Sequence, residues 1–349
     1  MGESRCNAFR VTMDDVARAA GVSRATVSRV LTGNSSVSEE TIVRVDSAVE
    51  RLGYVPNPAA RSLAGYRSKV PTVGLLLRDP VNIYYGVLFA ELQRHAAESG
   101  FQLVATIPTQ KKNSVDELSA LSSLLSMGVD GIFLATGSIN PSDVEGFLDK
   151  VPMISVGRPE LRNEITAVGF DETKHGKIIA SNVLGYGHRR VGVVVVDEDY
   201  SVPENRRGVS TIQELTAAGA VVRSFPVSSS SSFKTLSSNI IALVKRGEIT
   251  CVVFPNDRRA LRFLGVAQSV GVDVPQDVSV VGVDGISREV VHAGLATVQI
   301  PVNLVAARAS RVMGSRIKNP RQVVTHENFA GMFLSGESLG VPNPLISEL

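Results

Sequence analysis

The sequence predicts a multidomain chain: a small all-α N-terminal part, a short hinge segment, and a larger α/β part of parallel, doubly wound sheets. Three observations predict it. Short, capped helical patterns fill residues 11–53. A proline- and glycine-punctuated break follows over 54–71. From Thr72 onward, wholly apolar runs alternate with helical patterns, the mark of βαβ units whose strands are buried on both faces. A length of 349 residues suits two or three domains, and 44% apolar residues supply their cores.

The N-terminal elements follow from local chemistry. Thr12 caps a first helix, with Asp15 three positions on to answer it. Val16, Ala17 and Ala20 form its narrow apolar face. Gly21-Val22 makes the turn, Ser23 caps a second helix, and Val27, Val30 and Leu31 are its buried side. Arg24, Thr26, Ser28 and Arg29 then face outward. That is the arrangement of a helix-turn-helix, whose second helix enters the DNA major groove with its N-terminal residues against base edges. The same pattern also suits a small helical domain whose arginines are merely solvated. Ser38 caps a third helix, Glu39 and Glu40 sit at its positive end, and Gly53 stops it. Its apolar repeat is Ile42, Val45, Val49 and Leu52. After the extended Tyr54-Val55-Pro56 break, Asn57 is a good cap and Pro58 a good first residue for a helix over 59–64, closed by Gly65. One or two turns are unstable alone, so that helix needs DNA or a second subunit against it.

Beyond the linker at 65–71, strand runs are expected at 72–77, 101–106, 131–134, 153–156, 191–196, 251–254 and 278–283. Helical patterns fall at 85–99, 114–127, 173–184, 205–218, 233–245 and 258–270. These are too many units for one compact sheet, so two similar lobes are expected. Ser228–Ser232, five serines in a row, reads as a flexible loop.

Charge is informative in its distribution. The net charge is only +2, yet residues 1–70 carry ten Lys/Arg against seven Asp/Glu, while the remainder carries 26 against 27. The positive excess lies where a polyanion would bind. Cys6 and Cys251 are far apart and outside any Cys/His cluster, which argues against structural zinc and a disulfide framework and fits a reducing cytoplasm. The first twelve residues have no apolar stretch of a signal peptide, and no run of 18 apolar residues exists to span a membrane. The five histidines lack metal-ligand spacing, and there is no GxSxG, P-loop or Gly-rich dinucleotide fingerprint. An enzyme, a metal site and an organic cofactor are therefore not expected.

In order and spacing, the helix-turn-helix, Tyr54-Val55-Pro56-Asn57, Ala60-Arg61-Ser62-Leu63, Val129-Asp130-Gly131, Asn256-Asp257 and the run from Val274-Pro275-Gln276-Asp277 to Val283-Asp284 make the chain resemble the lactose-repressor (LacI/GalR) family of bacterial transcription regulators, over about 11–335. The resemblance implies a headpiece (1–55), a hinge helix and linker (56–70), and a two-lobed core like a periplasmic sugar-binding protein (71–340). Three crossover strands would join the lobes, with the ligand between them. The first lobe would take about 71–168 and 301–325, the second about 169–300 and 326–340.

The resemblance also implies site residues. Arg24, Ala25 and Arg29 match base-reading positions, and an arginine can bond bidentately to guanine. Ser23 and Thr26 lie on the same contact surface. Thr12, Ser28, Thr32 and Ser38 match phosphate-holding positions, although helix capping is the other role open to Ser38. Leu63 matches a minor-groove wedge, which unstacks a base step and kinks the duplex. Its alternative is packing against the headpiece. Asn57, Arg61 and Ala64 flank the wedge, with Arg61 over a phosphate. A two-helix reader touches few base pairs, so a homodimer on a near-palindromic double-stranded operator is expected. The tail over 340–349 has two prolines and no leucine heptad, which points to a dimer.

The parallel-sheet rule puts the effector at strand C-termini. Asp79, Asn82 and Tyr84 follow the first strand, Arg158 the fourth, Asp257 the run at 251–254, and Asp284 the run at 278–283. Asp284 matches a ligand-binding aspartate of the family, whereas Asp257 has helix capping as its alternative. The family's second aspartate is Gly285 here. The family arginine three residues before the glycine matching Gly208 is Asn205 here, leaving Arg206 to substitute or the clamp to be absent. With no tryptophan, the faces left to stack on a sugar are Tyr84, Tyr85, Phe170 and Tyr200. A carbohydrate-like effector is favoured, with sugar phosphates, polyols and nucleosides open. A solute-binding protein without regulatory role is the rival reading; it would lack the headpiece.

Overall fold

A computed structural model describes residues 11–31, 37–54, 70–79, 82–108, 114–136, 139, 141–158 and 165–343. The chain divides into two compact units, Met1–Lys69 and Val70–Leu349.

The first unit holds three helices, α1 (Met13–Ala20), α2 (Arg24–Leu31) and α3 (Glu39–Leu52). Thr12 and Asp15 form the expected reciprocal cap: the Asp15 amide donates to the Thr12 hydroxyl, and the Thr12 amide donates to the Asp15 carboxylate at 2.9 Å. Gly21 ends α1 in the left-handed region at φ 66, where a side chain would be strained. Val16, Ala17, Ala20, Val27, Val45, Ala48 and Tyr54 are buried together and hold the helices. Val30 and Leu31 are only half-buried at the edge of this cluster. Tyr54, the first residue of the expected extended break, is buried in this core. Ser38 does stand at the N-cap of α3, but its hydroxyl pairs with that of Thr41 at 2.9 Å and caps no amide. The hinge region, with Asn57, Arg61, Leu63 and Ala64, and Thr32 of the headpiece lie outside the described residues.

The second unit is two doubly wound α/β lobes. The first contains β1 (Thr72–Leu77), α4 (Ile83–Ser99), β2 (Gln102–Thr106), α5 (Ser114–Ser126), β3 (Gly131–Ala135), α6 (Pro141–Leu148), β4 (Met153–Val156) and β5 (Thr166–Phe170). The second contains α7 (Glu172–Gly185), β6 (Arg190–Val196), α8 (Val202–Ala217), β7 (Val221–Val227), α9 (Phe233–Lys245), β8 (Cys251–Val253), α10 (Asp257–Ser269), β9 (Ser279–Asp284), α11 (Arg288–His292) and β10 (Ala296–Gln299). The chain then returns through α12 (Val302–Lys318), β11 (His326–Phe329) and β12 (Met332–Leu334). The sheets run β11-β5-β4-β3-β1-β2 and β12-β10-β9-β8-β6-β7; only the β10–β12 pair is antiparallel. Strands β3, β4 and β5 are buried throughout, because helices cover both faces; β3 and β4 accordingly read as apolar runs.

The chain passes between lobes three times: from β5 to α7, from β10 to α12, and from β11 to β12. One boundary differs from the sequence expectation. His326–Phe329 pairs in parallel with β5, His326 opposite Ala167 and Phe329 opposite Phe170, so this stretch belongs to the first lobe's sheet. The second lobe's last return therefore starts after Phe329. The serine run is a closed turn: the Ser228 amide donates to the Ser231 hydroxyl at 2.8 Å, and Ser232 caps α9.

Candidate functional site

Two sites emerge, one in each unit. In the headpiece, α2 exposes Arg24, Ala25 and Arg29, while Thr26 and Ser28 are half-buried beside them. The Ser23 hydroxyl accepts the Thr26 amide at 3.1 Å and pairs with the Thr26 hydroxyl at 2.8 Å, so Ser23 fixes the start of the reader helix. Arg24 reaches across to Asp14 of α1 at 3.6 Å, both side chains well exposed. Such a pair is weak in water and readily exchanged for another acceptor.

In the core, a crevice opens at the C-terminal ends of the parallel strands, where the fold puts loops and helix N-termini. Its inner chamber, about 70 Å³, is lined by Tyr84, Thr136, Gly157, Arg158, Arg207 and Asp284, among others. A wider mouth of about 220 Å³ carries Arg78, Asp79, Tyr200, Arg258 and their neighbours. Asn82, Tyr85, Ser201 and Glu204 line both.

Tyr84 stands edge-on to Tyr85 and Phe170, with ring centroids 4.9 and 6.0 Å away. Its buried hydroxyl has no hydrogen-bond partner, and neither does the buried Thr136 hydroxyl. Burial raises the Tyr84 phenol well above its ordinary range, so it remains a donor. Gly157 adopts φ 81 directly beneath it; a β-carbon there would overlap the Tyr84 hydroxyl.

Arg207, buried, is paired with Glu172 and donates through Nη2 to the Pro255 carbonyl at 2.6 Å. Burial works against the Glu172 carboxylate, but the Arg207 charge and the His175 hydrogen bond outweigh it and hold its pKa below the usual range. His175 continues the chain: its Nδ1 lies 3.1 Å from Glu172, and its Nε2 accepts the Gly331 amide at 2.8 Å. The ring proton is therefore on Nδ1. Gly331 sits in the third crossing between lobes, so this chain of polar contacts runs from the crevice to the interlobe connection. Asp284, half-buried with φ 134, has its carboxyl pushed well above the ordinary carboxylate range by burial and by nearby Asp257.

The crevice thus gathers Asp79, Asn82, Tyr84, Arg158 and Asp284 from the sequence expectation. Asn82 also caps α4, accepting the Tyr84 amide at 3.1 Å, and Arg158 also donates to the Ile139 carbonyl at 3.0 Å. Three expected residues are not brought to it. Asn205 donates to the Val196 carbonyl at 2.7 Å, closing the end of β6. Arg206 is half-buried and lines neither chamber; Arg207, one position on, points inward with Glu204 because three residues make nearly one helical turn. Asp257 lines neither chamber and is not the cap: Asn256 caps α10, and the Asp257 carboxylate accepts from the Gly285 amide (2.7 Å) and the Thr297 hydroxyl (2.6 Å). Of the expected stacking faces, Tyr200 is covered by the Arg78 guanidinium at 4.6 Å, and Tyr85 lines both chambers. Sequence reading missed Glu172, His175 and Thr136, each standing just beyond a short strand that composition did not mark or bound well.

Among the described residues no group of His, Cys, Asp and Glu is placed to hold a metal ion, and no helix is long and apolar enough to cross a membrane.

Comparison with known proteins gives both units counterparts. Residues 12–57 match the lacI family of bacterial regulatory proteins, and residues 180–338 match a periplasmic binding protein-like domain. Catabolite control protein A of Priestia megaterium is 30% identical over 309 residues, covering 87% of this chain and 92% of that one. The HTH-type transcriptional regulator AscG of Escherichia coli is also 30% identical, covering 83% and 87%. In fold, the lac repressor dimer bound to operator and the anti-inducer ONPF matches with a TM-score of 0.78 at 21% identity, over 94% of this chain and 99% of that one. A transcriptional regulator CelR-cellobiose complex matches at 0.65 and 25% identity, over 95% and 100%. With a capped reader helix, a two-lobed core and a relative of this identity along nearly its whole length, the chain belongs to the LacI family of bacterial regulatory proteins.

Proposed function

We propose that the protein is a repressor that binds a near-palindromic operator as a homodimer in the cytoplasm and releases or tightens its grip when a small carbohydrate-like effector enters the core crevice. One observation carries this reading: the crevice holds buried Tyr84 and Thr136 hydroxyls with no partner, in the same chain that exposes an Arg24/Ala25/Arg29 row on a helix-turn-helix. Unpaired buried hydroxyls are costly, and a ligand rich in hydroxyls satisfies them. Arg24 and Arg29 suit guanine edges, and the Ala25 methyl suits a thymine methyl. Leu63, through its match to the family's wedge position, supplies a minor-groove contact. The relatives are transcriptional regulators, and enzymatic activity is not part of the reading.

The test is fluorescence anisotropy with operators selected from random duplexes, with and without sugars, polyols and nucleosides. Specific binding that at least one such ligand changes is the expected result. Arg24→Ala relaxes base preference at one position per half-site, and Leu63→Ser loses most specific affinity while the core melts as before. A protein that selects no duplex, or whose DNA affinity no crevice ligand alters, refutes the proposal.

A further inference from the structure

We infer that the mouth of the crevice is an anion subsite and that the effector is a phosphorylated carbohydrate, its hydroxyls in the inner chamber and its phosphate in the mouth. This rests on the crevice being the effector site and specifies what enters it.

The mouth gathers four guanidinium groups, Arg78, Arg258, Arg259 and Arg262, against two carboxylates, Asp79 and Glu204. The carboxylates are outnumbered two to one. Glu204 accepts from the Asn256 amide nitrogen at 2.8 Å, and Asp79 meets Arg258 only at 4.0 Å with the arginine more than half exposed. Arg78 and Arg262 lie over aromatic faces, Tyr200 at 4.6 Å and Phe233 at 4.0 Å. Stacking fixes the guanidinium plane and leaves its N–H fork pointing edgewise. A fork held this way is prepared for bidentate bonding to a phosphate.

The backbone adds to this. Asn82, Ser201, Ser232 and Asn256, the N-cap residues of α4, α8, α9 and α10, all line the mouth. Four helices therefore direct their positive ends at one cavity. The serine run has a place here: its closed turn presents Ser231 and Ser232 as hydroxyl donors on the same wall. Independently, the inner chamber, continuous with the mouth through Asn82, Tyr85, Ser201 and Glu204, holds the Thr136 hydroxyl, buried and without a partner. A neutral sugar answers the inner hydroxyls and leaves the positive excess of the mouth unbalanced. A free phosphate does the reverse. A sugar phosphate answers both. A doubly charged phosphate, with three acceptor oxygens directed tetrahedrally, can be shared among several guanidinium groups lining one cavity better than a planar carboxylate can.

The test uses the full-length protein, the triple variant R258Q/R259Q/R262Q and Tyr84→Phe. Each is titrated calorimetrically at fixed ionic strength with ribose, ribose 5-phosphate, glucose, glucose 6-phosphate and inorganic phosphate. In the wild type, at least one phosphorylated sugar binds about tenfold or more tightly than its parent, and inorganic phosphate competes with it. The triple variant abolishes that preference and the phosphate binding while retaining its circular dichroism and whatever affinity the neutral parent has. Tyr84→Phe weakens the phosphorylated sugar without abolishing inorganic phosphate binding. The inference is overturned if neither the phosphorylated sugars nor phosphate bind the wild type, if parents bind as tightly as their phosphates, or if the triple variant keeps the preference. Neutral sugars that bind in a Tyr84-dependent way would then leave the crevice reading standing. Conversely, phosphate binding that the triple variant loses, with no ligand changing operator affinity, would keep the anion subsite and end the effector reading.

Discussion

Tyr84 and Gly157 occupy adjoining space, and the pocket exists because one of them has no side chain. A β-carbon at 157 would overlap the Tyr84 hydroxyl, and φ 81 is strained for any other residue. Gly157→Ala is therefore expected to cost about 1–3 kcal/mol of core stability and to abolish the effector response, with operator affinity measured without effector unchanged. Anisotropy titrations with and without effector, beside a urea melt, check both halves. His188 shows a different constraint. Its Nε2 lies 2.9 Å from the Gly340 carbonyl and so carries the ring proton, and Nδ1 faces the Thr250 hydroxyl at 2.9 Å. Burial pushes its pKa down to about 4. The unfolded chain takes up a second proton below about 6.5, and the folded chain resists doing so. This contribution to stability is therefore whole above pH 6.5 and is lost as pH falls toward 4, on the order of 2 kcal/mol. Urea melts at pH 7 and 4.5 should show that loss in the wild type and a distinctly smaller one in His188→Gln.

At the scale of elements, the headpiece depends on its caps because its core is six small or medium side chains and Tyr54. Removing the Thr12 hydroxyl takes away the acceptor of the Asp15 amide, one half of the reciprocal cap, and leaves the Thr12 amide on the Asp15 carboxylate. Thr12→Ala should cost about 1 kcal/mol, seen by calorimetry as earlier melting of the first unit alone. If Thr12 also holds a phosphate, DNA affinity falls evenly across sequences at temperatures where the headpiece is fully folded, with the salt slope unchanged because a hydroxyl carries no charge, which separates the two roles. The caps of α1 and α2 were legible because capping and helical spacing are local. What was not legible depended on neighbours. β7 contains Pro226 and is largely exposed, so Val221–Val227 reads as a loop; an edge strand tolerates both. β5, Thr166–Phe170, is short and includes Ala167 and Gly169, so only its burial between β4 and β11 makes it a strand. α12 buries Val302, Val305, Ala306, Ala309 and Met313 at helical spacing, but its small residues and interleaved arginines blur the stripe. The inward arginine of α8 was misplaced by one position for a related reason: sequence gives helical spacing, whereas phase is set by which face meets the crevice.

For the whole molecule, the three interlobe crossings and the contacts across the mouth make lobe closure the natural coordinate for regulation. Arg78 belongs to the first lobe and Tyr200 to the second, and the same holds for Asp79 and Arg258. A ligand bridging the mouth favours one closure over another only by its differential affinity for the two. Linkage makes this quantitative. If the effector changes operator affinity by some factor, bound operator must change effector affinity by the same factor. Ordinary coupling of about 1–3 kcal/mol corresponds to roughly 5- to 150-fold. The experiment measures operator Kd at zero and saturating effector, then effector Kd with and without saturating operator, in one buffer because salt alone shifts DNA affinity. Two equal ratios, both well away from one, are expected. The core transition in calorimetry should also rise with effector, by about 2.7 kcal/mol at a hundred times Kd, while the headpiece transition of the free protein stays fixed. Unequal ratios would mean that a third equilibrium, such as dimer assembly, is being driven in one titration and not the other; repeating both at tenfold higher protein concentration would expose it. Ratios of one in both directions would make the crevice ligand a passenger, and regulation would have to enter the molecule somewhere other than between its lobes.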